Sequence, residues 1–373
     1  MREYALPMMY PPSDELRDRL VVWYSQHART LPWREAVSPY RTLVSEIMLQ
    51  QTRVDTVVPY FLRFMERWPR LEDLASADMD EVLEAWAGLG YYRRARSLVA
   101  ACQAAEALGG LPDSVEALKN LPGIGPYTAG AIASIAYGKP VAAVDGNVER
   151  VICRVDLRRG NPRKAPLKRA LTARAEELSR EGVASEVTQG LMELGATVCM
   201  PRVAHCERCP WQGLCRAHAE GAALEVPELP KRKPPKAVSA VCVLLQHEGG
   251  LWFGERQPGL LGGLWGPPMS SLDGDVSGEA AARALVTEQG VIPSNVARVG
   301  KVTHVFTHRR LSLEVWTASF TGAPDVDVSQ FVDARWVHPG VEQVAFSRLT
   351  EKILEACARN QEPMLPFEDH AQP

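Results

Sequence analysis

Two carboxylates stand out by their surroundings. Glu46 lies in RTLVSEIMLQQT, with Leu43, Val44, Ile47, Met48 and Leu49 around it. A carboxyl among so many apolar neighbours loses solvation as an anion, so its pKa should rise toward what a general acid needs. Taken alone, the pattern also suits a surface glutamate on an amphipathic helix. Asp145 precedes GNVERVICRV, where Val148, Val151, Ile152 and Val155 have helical spacing. That is an N-cap position, where backbone N–H groups would keep a carboxylate ionised. One acid that stays protonated beside one that stays charged is the division used to break glycosidic bonds.

Four cysteines fall close together, Cys199, Cys206, Cys209 and Cys215, with the spacing C-x6-C-x2-C-x5-C. On a tight loop carrying Pro201 and Pro210, they suit a single metal centre. Zinc would accept four thiolates, and so would an iron–sulfur cube. Zinc sites usually pair two short knuckles, and only Cys206 and Cys209 form one here. The remaining cysteines, Cys102, Cys153, Cys242 and Cys357, are scattered and read as small buried hydrophobes.

A third candidate is LPGIGPYTAG at 121–130, leading into a helix (TAGAIASIAYG). Gly123 and Gly125 permit a tight turn and a close approach to a polyanion. The helix N-terminus behind them offers free N–H groups, with Pro126 suited to the first turn.

These residues need elements to hold them. In the chain of 373 residues, DELRDRLVVWYSQH, YRTLVSEIMLQQTRVDTVVPYFLRFMERW, DMDEVLEAWAGLG, RRARSLVAACQAAEAL and APLKRALTARAEELSR all carry helical periodicity. VPELPKRKPPK (226–236) has linker composition. Beyond it, AVSAVCVLLQ, LWFGER and LSLEVWTASF read as strands, and SGEAAARALVTEQG and FSRLTEKILEACARN as helices. The second domain is therefore expected to be α+β.

Net charge is -3, which excludes a uniformly basic coat for nucleic acid. Charge is polarised, however: Arg150 to Arg174 holds nine basic residues and one acidic one. Such a region can face a polyanion while the whole stays near neutral. Arg202, Arg208 and Arg216 on the cysteine loop suit phosphate contacts as well. No apolar run is long enough to span a membrane, and MREYALPMMYPPSDE lacks the pattern of a secretory signal, so a cytoplasmic location is expected.

The segments LPWREAVSPYRTLVSEIMLQQTRVDTVVPYF, GLGYYRRARSL, LPGIGPYTAGAIAS, AVDGNVERV and ELGATVC, in this order, resemble the adenine DNA glycosylase family of the endonuclease III, helix-hairpin-helix superfamily. With the second domain, the resemblance covers nearly the whole chain. It implies a multidomain protein. Residues 1–225 would be an all-α helix-hairpin-helix glycosylase domain with a 4Fe–4S cluster loop, and 226–236 a linker. Residues 237–360 would be an α+β, Nudix-like 8-oxoguanine-recognition domain, and 361–373 a tail.

It also implies roles. Glu46 would protonate adenine N7 and later help activate water, and Asp145 would stabilise the oxocarbenium ion or trap it covalently. Tyr127 and Asn147 would support the site. Trp33, Arg34 and Gln189 would line the adenine pocket, and Gln51 and Tyr91 would wedge into the base stack. Gly123 and Gly125 would grip a DNA phosphate, and Cys199, Cys206, Cys209 and Cys215 would ligate the cluster. The substrate would be double-stranded DNA with adenine opposite 8-oxoguanine or guanine, bound by a monomer. Bifunctional relatives carry a lysine where this chain has Tyr127, so the resemblance implies a monofunctional enzyme. Tyr127 is also similar to some thymine–guanine mismatch glycosylases. That leaves a thymine or oxidised-pyrimidine glycosylase, or a silent mismatch-binding protein, as alternatives.

In the second domain, Arg283-Ala284-Leu285-Val286-Thr287-Glu288-Gln289-Gly290 occupies the place of a Nudix box and lacks two of its three metal-binding glutamates, which argues against pyrophosphatase activity. HVFTH (304–308) matches a family Phe-Ser-His motif that contacts 8-oxoguanine. Phe306, Thr307 and His308 are its residues here, with threonine in place of serine.

Overall fold

The computed structural model describes residues 10–230, 234–257, 259, 261–272, 274, 276–306, 308–319, 331–338 and 344–360. Thr307 and the 361–373 tail lie outside these. The chain forms two compact units. One takes residues up to 77 and from 94 to 230, the other 78–93 and everything from 234 on.

The first unit is helical: α1 (Ser13–His27), α2 (Pro32–Glu35), α3 (Pro39–Leu49), α4 (Val54–Arg67) and α5 (Leu71–Ala75). The short α6 (Met79–Ala85) goes with the second unit, to which the Tyr92 hydroxyl ties its segment by donating to the Phe346 carbonyl at 3.4 Å. The first unit resumes with α7 (Arg93–Glu106), α8 (Val115–Lys119), α9 (Pro126–Ala131), α10 (Gly146–Val155), α11 (Ala165–Leu178), α12 (Ala184–Thr197) and α13 (Arg216–Ala219).

Two departures from simple periodicity shape the site. The stretch from Tyr40 to Trp68 reads as one helix but is broken between α3 and α4, where Gln51 has φ 60°. The cause is remote. Arg94 Nη1 donates to the carbonyls of Ile47, Met48 and Gln50 at 2.9, 2.8 and 2.6 Å. Those carbonyls, which a continuing helix would use, are thereby satisfied from α7. The helix expected over TAGAIASIAYG likewise changes form, from α9 to a π turn over Ile132–Ala136. Its cap is Gly125, with Pro126 in the first turn.

The basic run from Arg150 to Arg174 is less of a surface than its composition predicts. Arg150, Arg154 and Arg174 are buried, and Arg158 pairs with the buried Asp156 at 3.0 Å. On α10, positions 150 and 154 fall one helical turn apart on the inward face, where carbonyls of Gly195, Cys199, Met200 and Val226 accept from their guanidinium groups. Five basic residues of the run remain exposed: Arg159, Arg163, Lys164, Lys168 and Arg169.

The second unit is built on β1 (Lys236–His247), β2 (Gly250–Arg256), β3 (Trp265–Gly266), β4 (Met269–Ser271), α14 (Gly278–Glu288), β5 (Asn295–Val305), β6 (Arg309–Ser319), β7 (Phe331–Val337) and α15 (Arg348–Asn360). The strand order is β3-β2-β1-β6-β5, with β4 on β1, β7 on β2 and β1 parallel to β6. The apolar run of β1 serves both faces of the sheet. Ala240, Cys242 and Leu244 meet Leu349 and Ile353 of α15, while Val241, Val243 and Leu245 meet Ala282, Leu285 and Val286 of α14. Cys102, Cys153, Cys242 and Cys357 are buried, as small hydrophobes would be.

Candidate active site

A cavity of about 550 Å³ opens in the first unit between α2, α3, α9, α10 and α12. Glu46, Asp145, Tyr127, Asn147, Trp33, Arg34, Gln189 and Gln51 all line it. Glu46 reaches it from α3, whose start is set by Ser38 accepting from Arg41 N and by Pro39 in the first turn. Only 7% of Glu46 is exposed, and burial pushes its pKa up to about 7. The Tyr127 hydroxyl donates to its Oε2 at 2.6 Å, which works against that rise, and the negative charge of Asp145 works with it. Burial and the Glu46 charge in turn hold the Tyr127 phenol well above its ordinary range.

Asp145 caps α10. Its Oδ1 accepts from the backbone N–H of Asn147 and Val148 at 2.9 and 2.8 Å, and its Oδ2 from Asn147 Nδ2 at 2.8 Å. Three donors thus solvate one carboxylate where the helix dipole also favours negative charge. Asn147 is itself held, because Arg150 Nη2 donates to its Oδ1 at 2.9 Å. Arg150 also bonds the carbonyls of Gly146, Gly195 and Cys199. The close packing of α10 on α12 requires Gly195, where an added Cβ would lie 2.6 Å from the Cβ of Asn147. The chemistry available is therefore a carboxyl that keeps its proton up to about pH 7 and a firmly held carboxylate, both facing one cavity.

Arg34 belongs to a charge group in the cavity wall whose other members, Glu193 and Arg29, sequence reasoning missed. Glu193 has a fully buried side chain that accepts from Arg29 Nε at 2.6 Å and Arg34 Nη2 at 2.9 Å. Burial raises its pKa, but the hydrogen bonds and charges of Arg29 and Arg34 outweigh this and leave it below the usual carboxylate range. Removing one member of such a group strands the others as buried charges. Arg34 also lies over the Tyr24 ring, 5.4 Å from its centroid, so this side chain is oriented on two sides. The only sequence signal was an acidic residue within the apolar run LMELGA of α12.

The remaining candidates are held as follows. Trp33 is buried edge-on against Phe61, and Gln189 donates to Ser185 Oγ at 3.1 Å. Tyr91 belongs to the second unit, is 47% exposed and has φ 51°. Gln51 and Tyr91 are thus both exposed side chains on left-handed backbone, which costs a non-glycine residue about 1–3 kcal/mol and clusters at functional positions. Gly123, with φ 73°, turns the α8–α9 hairpin so closely past α7 that a Cβ would lie 2.5 Å from the Cβ of Ser97. Phe306 packs on the core of the second unit, and His308 is exposed beside it on the β5–β6 turn.

Cys199, Cys206, Cys209 and Cys215 line one pocket and none is in a disulfide. Arg154 Nη1 lies 3.3 Å from the Cys199 sulfur. Four thiols with a buried guanidinium beside them are a donor set that suits an anionic thiolate-bound group. Among the described residues, no three His, Cys, Asp or Glu side chains are grouped to hold a single metal ion. Arg202 and Arg208 of this loop are exposed, whereas Arg216 turns toward the Asp156 carbonyl at 3.4 Å.

Residues 44–177 match the HhH-GPD superfamily of base excision DNA repair proteins, and residues 240–356 match the NUDIX domain. The adenine DNA glycosylase of Rattus norvegicus is 37% identical over 86% of this chain and 73% of its own length. That of Homo sapiens is 36% identical over 86% and 70%. Among solved structures, a thermostable thymine-DNA glycosylase is 28% identical, with a TM-score of 0.51 over 56% of this chain and 97% of its own.

Proposed function

The chain belongs to the adenine DNA glycosylase family, acting in base excision repair, and from that premise we propose that it removes adenine mispaired with 8-oxoguanine or guanine in duplex DNA. The observation that carries the chemistry is the pairing of Glu46, held near neutrality in its pKa, with the capped carboxylate of Asp145 in one cavity.

A paired base cannot reach such a cavity, so the adenine must leave the stack. Trp33, Arg34 and Gln189 then hold its ring, and Gln51, exposed at the cavity, fills the vacated position. Below its pKa, the Glu46 carboxyl carries a proton and donates it to adenine N7, making the base a neutral leaving group. The bond between C1′ and N9 breaks, both its electrons going to the base, and an oxocarbenium ion remains on the sugar. Asp145 faces that cation, and Asn147 and Arg150 hold Asp145 in register. The Glu46 carboxylate so formed takes a proton from water, whose oxygen bonds to C1′ and restores the acid. No amine stands where Tyr127 does, so the product is an abasic site in an intact strand.

The preference for 8-oxoguanine is assigned to Phe306, Thr307 and His308 of the Nudix-like domain. Labelling the adenine strand of an adenine:8-oxoguanine duplex tests the reading. The expected product is cut by hot alkali only. Cutting without alkali, or no abasic product at all, overturns it. The likeness to a thymine-DNA glycosylase favours a second reading, and a thymine:guanine duplex in the same assay decides between them.

Members of the family typically carry a 4Fe–4S cluster. Cys199, Cys206, Cys209 and Cys215 would hold it here, and its part would be to fix the loop from Met200 to Leu214 against α10 through Arg154. The purified protein is expected to be brown, with visible absorbance that Cys199→Ser abolishes. A colourless protein that releases zinc on thiol modification would exclude the cluster.

A further inference from the structure

Four of the basic residues left on the surface of the first unit are concentrated where α10 gives way to α11. Arg163, Lys164, Lys168 and Arg169 are all exposed, and among the described residues none is engaged in an ion pair. Their neighbour Arg159 differs, standing 3.6 Å from Glu225. The loop is built to hold its shape: Arg163 N donates to Asn161 Oδ1 at 2.9 Å, Lys164 N to the Asn161 carbonyl at 3.0 Å, and Pro166 opens α11.

The position of the group is given by Glu149, one turn along α10 from Asp145. Burial raises the Glu149 pKa, while the charges of Lys168 and then Arg163 lower it and that of Asp145 raises it. The apolar face of α11 packs along α10, Leu171 and Ala175 in one core with Val148 and Val151, and the charges of Lys168 and Arg163 reach Glu149. A single carboxylate cannot neutralise both of them. The surplus positive charge sits on a hydrogen-bonded loop and helix start that pack along the helix Asp145 caps.

We propose that Arg163, Lys164, Lys168 and Arg169 form a second phosphate-contacting surface, separate from the α8–α9 hairpin, that binds the duplex backbone flanking the extruded nucleotide. It rests on the glycosylase reading and adds to it a named set of phosphate contacts. Such contacts release condensed counterions, so each steepens the salt dependence of binding and reads no sequence.

The test uses the full chain and a duplex with a non-cleavable adenine analogue opposite 8-oxoguanine. The double variant Arg163→Gln, Lys168→Gln should flatten the plot of log affinity against log salt by about 1.8, from about 0.9 per phosphate contact. Between about 50 and 200 mM salt, its affinity then falls by about tenfold less than that of the unaltered protein. Arg163→Lys, Lys168→Arg should restore the slope, and single-turnover excision at saturating DNA should stay unchanged in both. An unaltered slope in the double variant overturns the proposal, as would a slope that changes only together with the excision rate. Loss of excision in the unaltered protein would instead sink the glycosylase reading, and the slope on plain duplex would still judge the surface.

Discussion

Glu46→Gln lowers the single-turnover excision rate by about 10²–10⁴-fold, the usual contribution of a positioned general acid. Glutamine keeps the shape of the side chain and can still meet the Tyr127 hydroxyl at Oε, but it has no proton to give to a base nitrogen. Binding to the mispaired duplex should be retained, because the interactions lost are those made as the bond breaks. A variant within a few-fold of the unaltered rate would remove Glu46 from the mechanism. The same residue sets the pH dependence. Its carboxyl titrates at about 7 in the folded protein against an ordinary 4.5, chiefly through burial. Excision should therefore decline as pH rises through about 7, where the proton is lost from the free enzyme.

Stability should follow the same titration with a definite sign. A carboxyl whose pKa is raised by folding costs nothing extra while protonated. Between 4.5, where the unfolded chain gives up its proton, and about 7, where the folded one does, stability falls, and the loss is complete at alkaline pH. The gap between 4.5 and about 7 corresponds to about 3 kcal/mol at most. Glu46→Gln should thus unfold at higher denaturant than the unaltered protein at pH 8.5 and lose that advantage near pH 4. Function and stability are opposed at this position, as expected where a fold holds a strained acid.

Asp145→Asn is expected to cost about 10²–10³-fold in the same assay, the scale on which removing one preorganised electrostatic partner of a charged intermediate is felt. The substitution is chosen to separate two roles. Asparagine caps helices about as well as aspartate, so the bonds from Asn147 N and Val148 N to Oδ1 can persist and α10 should stay formed. What disappears is the negative charge facing the sugar. Urea unfolding within about 1 kcal/mol of the unaltered protein, together with the large rate loss, is the expected pair of results. A rate loss accompanied by equal destabilisation would reduce Asp145 to a structural cap.

What could be read from the chain alone was whatever depends on near neighbours. The apolar setting of Glu46, the N-cap position of Asp145, the hairpin glycines and the alternating strands of the second unit all follow from residues within a turn or two. The same holds for the two family matches, which rest on ordered motifs. The tertiary structure decided what depends on groups far apart in sequence. Arg94 ends α3 from more than 40 positions away and leaves Gln51 on left-handed backbone at the cavity. Glu193 meets Arg29 across 164 positions, so nothing local marks the charge group in the cavity wall. Three of the nine basic residues of the run, Arg150, Arg154 and Arg174, proved to be internal scaffolding, because charge counts along a chain do not say which face of a helix is buried. Periodicity and capping are short-range effects, whereas the solvation of a charge is set by everything the fold packs around it.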